Sequence, residues 1–179
     1  MFARLFRENE QTKISNSYNH ARRVLPIFMD TTSDALNSMV NAYNNILEND
    51  KIFKNQSIDK LKLMITQMYD EKFLIVENEK HCFCIPDETK ATLDLNFYRN
   101  TIDEISNDMR GEFRLFQKLN LIVEMQKLKD CLDVVGSNLF ILKNLYQRIE
   151  NYHTLKQNEL AEEKFSAPSF YFLTQSIKT

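Results

Sequence analysis

The sequence predicts a mainly α-helical protein, a helical bundle with one small β-hairpin and long heptad-patterned helices in its C-terminal half. Three observations predict it. Leu121, Met125, Leu128, Leu132, Val135, Leu139, Leu142, Tyr146 and Ile149 follow one another at alternating spacings of four and three, the seam of a helix that buries one face against another helix. Glycine and proline number only 2 and 3 in 179 residues, too few for turn-rich folds or glycine-rich phosphate loops. One segment alone, residues 73–85, reads as β structure.

Residues 1–12 read as a polar, mobile arm. Its apolar cluster Phe2, Leu5 and Phe6, flanked by Arg4 and Arg7, is expected to dock on the body rather than to lie in a membrane interface, which takes a longer and more basic face. Residues 13–90 form a helical domain with the hairpin near 73–85. Its first helix, over 13–29, aligns Ile14, Tyr18, Ala21 and Leu25, and Pro26 is expected to kink or end it. Asp30 to Ser33 offer caps for a second helix reaching residue 49, striped by Leu36, Met39, Val40, Tyr43, Ile46 and Leu47. Ser57 is the expected N-cap of a third helix that buries Ile58, Leu61, Ile65 and Met68. Two strands, Phe73–Val76 and His81–Ile85, then flank a four-residue turn, and a polar linker reaches Thr92.

Residues 93–165 return to helical periodicity, as a helical hairpin or coiled coil. The helix begins near Asp94 or at Thr101, where Thr101 and Glu104 have capping-box spacing. Its stripe runs through Tyr98, Ile102, Ile105, Met109, Phe113, Phe116 and Leu119, and its phase slips between Gly111 and Asn120. The last helix, over 121–164, would extend about 66 Å at 1.5 Å per residue. Gly136-Ser137-Asn138 resembles a turn, but the heptad crosses it without losing phase, so continuity is favoured. Val134, Phe140, Ile141 and Leu145 add apolar positions beside the seam, as in the central helix of a bundle or a dimer core. Residues 166–179 form an aromatic tail.

Chemistry is sparse. Cys82, Cys84 and Cys131 are an odd set without a secretory leader, so an intracellular, reducing location is expected. No apolar run is long enough for a membrane span. The Asn55-Gln56-Ser57 sequon counts for little. His81-Cys82-x-Cys84 lacks a second ligand pair, and Cys131, His20 and His153 are scattered; strand cysteines, not zinc ligands, are expected. Glu150-x-x-His153 is a single copy of a motif that di-iron bundles use twice. Nucleophile-elbow, Walker and kinase motifs are missing. No catalytic, cofactor-binding or metal residue is therefore assigned, and the protein is read as a non-enzyme.

Two functions compete. The first is a non-enzymatic intracellular assembly or adaptor subunit acting by helix–helix contact. Its protein-binding residues would be Leu121, Met125, Leu128, Leu132, Val135, Leu139, Leu142, Tyr146 and Ile149, with Phe170, Tyr171 and Phe172 of the tail as anchors. Protein partners and a homo-oligomer formed through the seam are expected. The alternative is a winged-helix DNA-binding regulator that dimerises through the same helices. In it a helix at 33–49, the helix from Ser57 and the hairpin would form the unit, with Lys54, Lys60 and Lys62 on DNA. A net charge of -2 and the interspersed Asp59, Asp70, Glu71, Glu77 and Glu79 disfavour nucleic acid.

Overall fold

The structure, a computed structural model, describes residues 2–48, 55–86 and 95–166. Helix α1 (Phe2–Leu47) is followed by α2 (Gln56–Asp70), the hairpin β1 (Leu74–Glu77) and β2 (Lys80–Phe83), α3 (Asn96–Gly111), α4 (Phe113–Lys118) and α5 (Ile122–Ser166). The chain is mainly α, with one two-stranded antiparallel sheet among the described residues, as the sequence predicts. No described helix is long and apolar enough to cross a membrane.

The chain divides into two compact units, Met1–Arg23 with Leu145–Thr179, and Val24–Asn144. The second holds the main core. Leu36, Met39, Val40, Tyr43 and Ile46 of α1 are buried, together with Ile58, Leu61, Met64, Ile65 and Met68 of α2. Tyr98, Ile102, Ile105 and Met109 of α3, Phe116 of α4, and the α5 seam from Leu121 through Leu142 are buried in the same way. The first unit is thinner. Tyr18 and Tyr152 stack with ring centroids 3.9 Å apart, Lys156 lies over the Tyr152 ring, and Ala21 and Leu145 are its buried apolar residues among those described.

Several local expectations are corrected. Pro26 lies inside a continuous α1. It is exposed, so its ring and missing N–H fall on the solvent side while burial from Leu36 onward holds the helix. Residues 2–12, read as an arm, are the first turns of α1, and Leu5 and Phe6 stand exposed instead of docked. The N-cap of α2 is Asn55, not Ser57: Asn55 Oδ1 accepts the Ile58 N–H at 3.2 Å. Its buried side chain is thus accounted for by capping. Thr101 sits inside α3 and donates to the Phe97 carbonyl at 2.8 Å, so it caps nothing.

The hairpin turn is two residues, tighter than expected, because Asn78 and Glu79 both take positive φ (49° and 64°). That is the backbone of a type I′ turn, whose twist matches the strands. Pairing Glu77 with Lys80 and Val76 with His81 turns the N–H groups of His81 and Phe83 away from β1. Helix α1 receives them: Asn37 Oδ1 accepts from His81 at 3.2 Å and Ser33 Oγ from Phe83 at 2.8 Å. The open sheet edge is covered by its own chain.

Candidate functional site

Helix α5 carries glycine at 136, where an exposed helix interior would favour alanine by about 1 kcal/mol. Gly136 faces α3: a Cβ there would lie 3.4 Å from Ile102 Cγ2, at the edge of ordinary van der Waals contact. Two residues on, Asn138 is buried and donates through Nδ2 to Thr31 Oγ1 of α1 at 3.0 Å. The triplet that resembles a turn is therefore a helical segment in contact with two other helices. Its glycine meets α3 and its asparagine meets α1.

Beside this contact lies a groove of about 500 Å³. Ile102, Leu132 and Ile141 give it apolar walls, and Asp103, Asp133 and Ser137 give it polar edges. The Arg99 guanidinium sits 4.7 Å from the centroid of the Phe140 ring, within cation–π range. Phe140 nevertheless remains 56% exposed. Neither Asp103 nor Asp133 has an ion-pair partner among the described residues. The groove thus combines an exposed aromatic ring, an apolar floor, two carboxylates and one guanidinium, features that suit docking better than bond-making chemistry.

The residues assigned from sequence fall in different places. Leu121, Met125, Leu128, Leu132, Val135, Leu139 and Leu142 are all buried within the single chain. Tyr146 and Ile149 are half-buried and belong to the other unit. Phe170, Tyr171, Phe172 and Lys54 lie outside the described residues. Lys62 is exposed, whereas Lys60 is held by α3, with its ammonium 2.7 Å from Asp108 Oδ2 and 3.6 Å from Glu104 Oε2. The hydrogen bond to Asp108, opposed in part by desolvation, raises Lys60 above the ordinary lysine range.

Sequence reasoning missed Arg99, Asp103, Asp133 and the placement of Gly136 against α3. The signal was the surplus of apolar residues beside the seam: Phe140 and Ile141 line the groove. Around the hairpin, Cys82 and Cys84 are half-buried free thiols, and the Tyr69 hydroxyl hydrogen-bonds to His81 Nδ1. Burial pushes the Cys131 thiol up, which makes it less reactive. Among the described residues no cluster of three His, Cys, Asp or Glu side chains could hold a metal ion. No known protein family, curated protein or solved structure matches the chain.

Proposed function

We propose that this chain is a non-enzymatic intracellular assembly or adaptor subunit that receives a helix of a partner protein in the groove between α3 and α5. The observation that carries it is Phe140, a large aromatic ring left 56% exposed at the edge of an apolar groove. An exposed aromatic ring beside an apolar groove with polar edges is the kind of anchor that protein interfaces use. The groove also specifies its occupant. Arg99 keeps its charge over the Phe140 ring, so the groove carries one cation against the carboxylates of Asp103 and Asp133, a small excess of negative charge. The matching segment is an amphipathic helix with apolar anchors and basic flanks. In this reading the Leu121–Leu142 seam shapes the groove from behind and does not itself touch the partner.

The winged-helix regulator is the weaker reading. It draws on the order α2, β1, β2 and on exposed Lys62. Against it, Lys60 is committed to Asp108 and Glu104, and Asp59 and Asp70 accompany Lys62 on α2.

The deciding experiment compares wild type with Phe140→Asp and with Val123→Asp, the latter at an exposed α5 position outside the groove. Tagged protein is recovered from its own cells with cross-linking, and the contacted partner segment is identified by mass spectrometry. Loss of one stoichiometric partner in F140D alone, cross-linked through a basic amphipathic helix, is the expected result. An unchanged partner set in F140D, or a partner lost only on nuclease digestion, refutes the groove reading.

A further inference from the structure

We infer that the outer face of the α3–α4 junction is a docking surface for an anionic phospholipid bilayer, separate from the α3–α5 groove. Charge is sorted by face along this stretch. Glu104, Asp108 and Glu112 stand four residues apart and all turn to α2. Lys60 lies against the first two, and Glu112 meets the Ser57 N–H and hydroxyl. Arg110, Arg114 and Lys118 repeat that spacing two positions later, which at 3.6 residues per turn carries them about 200° round from the acids. Helical hydrogen bonds run through the junction, from the Glu112 N–H to Asp108 at 3.0 Å and from the Phe116 N–H to Glu112 at 3.1 Å. The three cations therefore follow one line, about 6 Å apart.

All three are exposed and have no ion-pair partner among the described residues. The sequence holds no acid between Glu112 and Glu124 to compensate them. Phe116 is fully buried and fixes the inner side of α4, while Phe113 and Leu115, the neighbours of Arg114, project to either side of the cationic line and stay 47% and 44% exposed. A basic line edged by apolar side chains fits the surface of an anionic bilayer. There the cations meet lipid phosphates and acidic headgroups, and the aromatic and aliphatic side chains enter the boundary with the acyl chains. A nucleic acid would take the cations too, but it binds exposed side chains by stacking bases on rings, which leaves aliphatic Leu115 in water. The contact is with the surface alone, since no described helix is long and apolar enough to cross.

The test is flotation of the full chain with vesicles of phosphatidylcholine alone, or of phosphatidylcholine and phosphatidylserine mixed three to one. Binding to the mixed vesicles and not to the neutral ones is expected, falling as salt is raised. Arg114→Gln and Lys118→Gln should each weaken it about fivefold. Phe113→Ser, which keeps every charge, should also weaken it about fivefold or more, and Lys62→Gln, an exposed cation on α2, should leave it unchanged. Circular dichroism checks that F113S keeps its helix content; should it not, Leu115→Ser replaces it. Failure to bind the mixed vesicles, equal binding to neutral ones, or binding that survives the Arg114 and Lys118 variants overturns the assignment. So does binding untouched by the apolar variant, or capture of an oligonucleotide duplex while vesicles stay unbound.

Discussion

Side chains do the work of glycine in this molecule. Lys72, Asn78, Glu79 and Asn120 adopt positive φ, whereas neither glycine does. For a residue with a Cβ the left-handed region costs about 1–2 kcal/mol, so the surrounding contacts must hold these turns in place. Away from these turns, Asn55, Ser57 and Glu112 tie the start of α2 to the residue that follows α3. The buried Ser57 hydroxyl lies 2.7 Å from Asn55 Oδ1 and 2.8 Å from Glu112 Oε2, and the Ser57 N–H donates to Glu112 Oε1. One hydroxyl proton serves one of those two acceptors at a time. Tyr98 is a second such point. Its phenol is buried and donates to Glu71 Oε2 at 2.5 Å, and desolvation, reinforced by this hydrogen bond, raises it far above the usual tyrosine range. A tyrosine whose folded-state ionisation is raised contributes stability below its unfolded pKa near 10, and loses it as pH climbs above that value. In that window the unfolded chain has released a proton that the folded chain retains. Stability should therefore fall by as much as about 1.4 kcal/mol per pH unit from this group. Tyr43, Tyr69 and Lys60, also raised, steepen the same alkaline limb, so the difference between proteins is the informative quantity. Urea denaturation from pH 8 to 11.5 should give a shallower limb for Tyr98→Phe than for wild type; parallel limbs would remove Tyr98 from the account.

At the scale of elements, those same positions explain what could be read in advance. The ends of α2 and α4 are built alike. The Phe73 N–H reaches the Met68 carbonyl at 2.9 Å and the Lys72 N–H reaches that of Tyr69 at 3.1 Å; Leu121 bonds Phe116 at 2.8 Å and Asn120 bonds Gln117 at 3.1 Å. This is a Schellman stop with lysine or asparagine where glycine is usual. The stop at Asn120 resets the helical phase, which is why the stripe ending at Leu119 and the seam starting at Leu121 disagree. The phase slip was legible in the spacing of apolar residues, but its cause was not, because neither Lys72 nor Asn120 signals a helix end as strongly as glycine. Likewise the α5 heptad revealed the buried face, while the groove lies where Gly136 faces Ile102, residues 34 positions apart whose proximity periodicity cannot register. Pro26 misled in the other direction. Its missing N–H removes one bond from α1, yet forty-six residues continue as one helix, since a loss at one exposed position is offset along the rest of its length. Restoring that bond with Pro26→Ala should stabilise the protein, by up to about 3 kcal/mol. Calorimetry would show this as a raised midpoint; an unchanged or lowered midpoint would mean that the proline supports the local geometry.

For the whole molecule, the decisive quantity is what covers the seam. A heptad stripe alone is compatible with burial against a second copy or against the chain's own helices, and its spacing is the same in both cases. Leu128, Leu132, Val135, Leu139 and Leu142 are each fully buried in one chain, so pairing through them would first require their present contacts to open. Folding that includes an obligatory partner copy makes the melting midpoint depend on concentration, whereas folding of a self-contained core does not. The unit Val24–Asn144 should therefore melt at a midpoint that stays fixed as protein concentration is raised a hundredfold. Leu139→Asp sharpens the distinction. A carboxylate placed where no solvent or cation reaches it costs several kcal/mol, which is a large part of the stability of a typical domain. In a self-contained core this variant should lose cooperative unfolding and helical ellipticity together at every concentration. In a seam that pairs between copies it should instead yield a folded monomer, recognisable by retained ellipticity and a halved mass in sedimentation. Phe140→Asp, on the exposed ring beside the groove, should leave both the midpoint and the ellipticity close to wild type, because it removes a surface contact and opens no core. The pair of variants thus separates the two faces of α5: one buried in the core and one left exposed beside the groove.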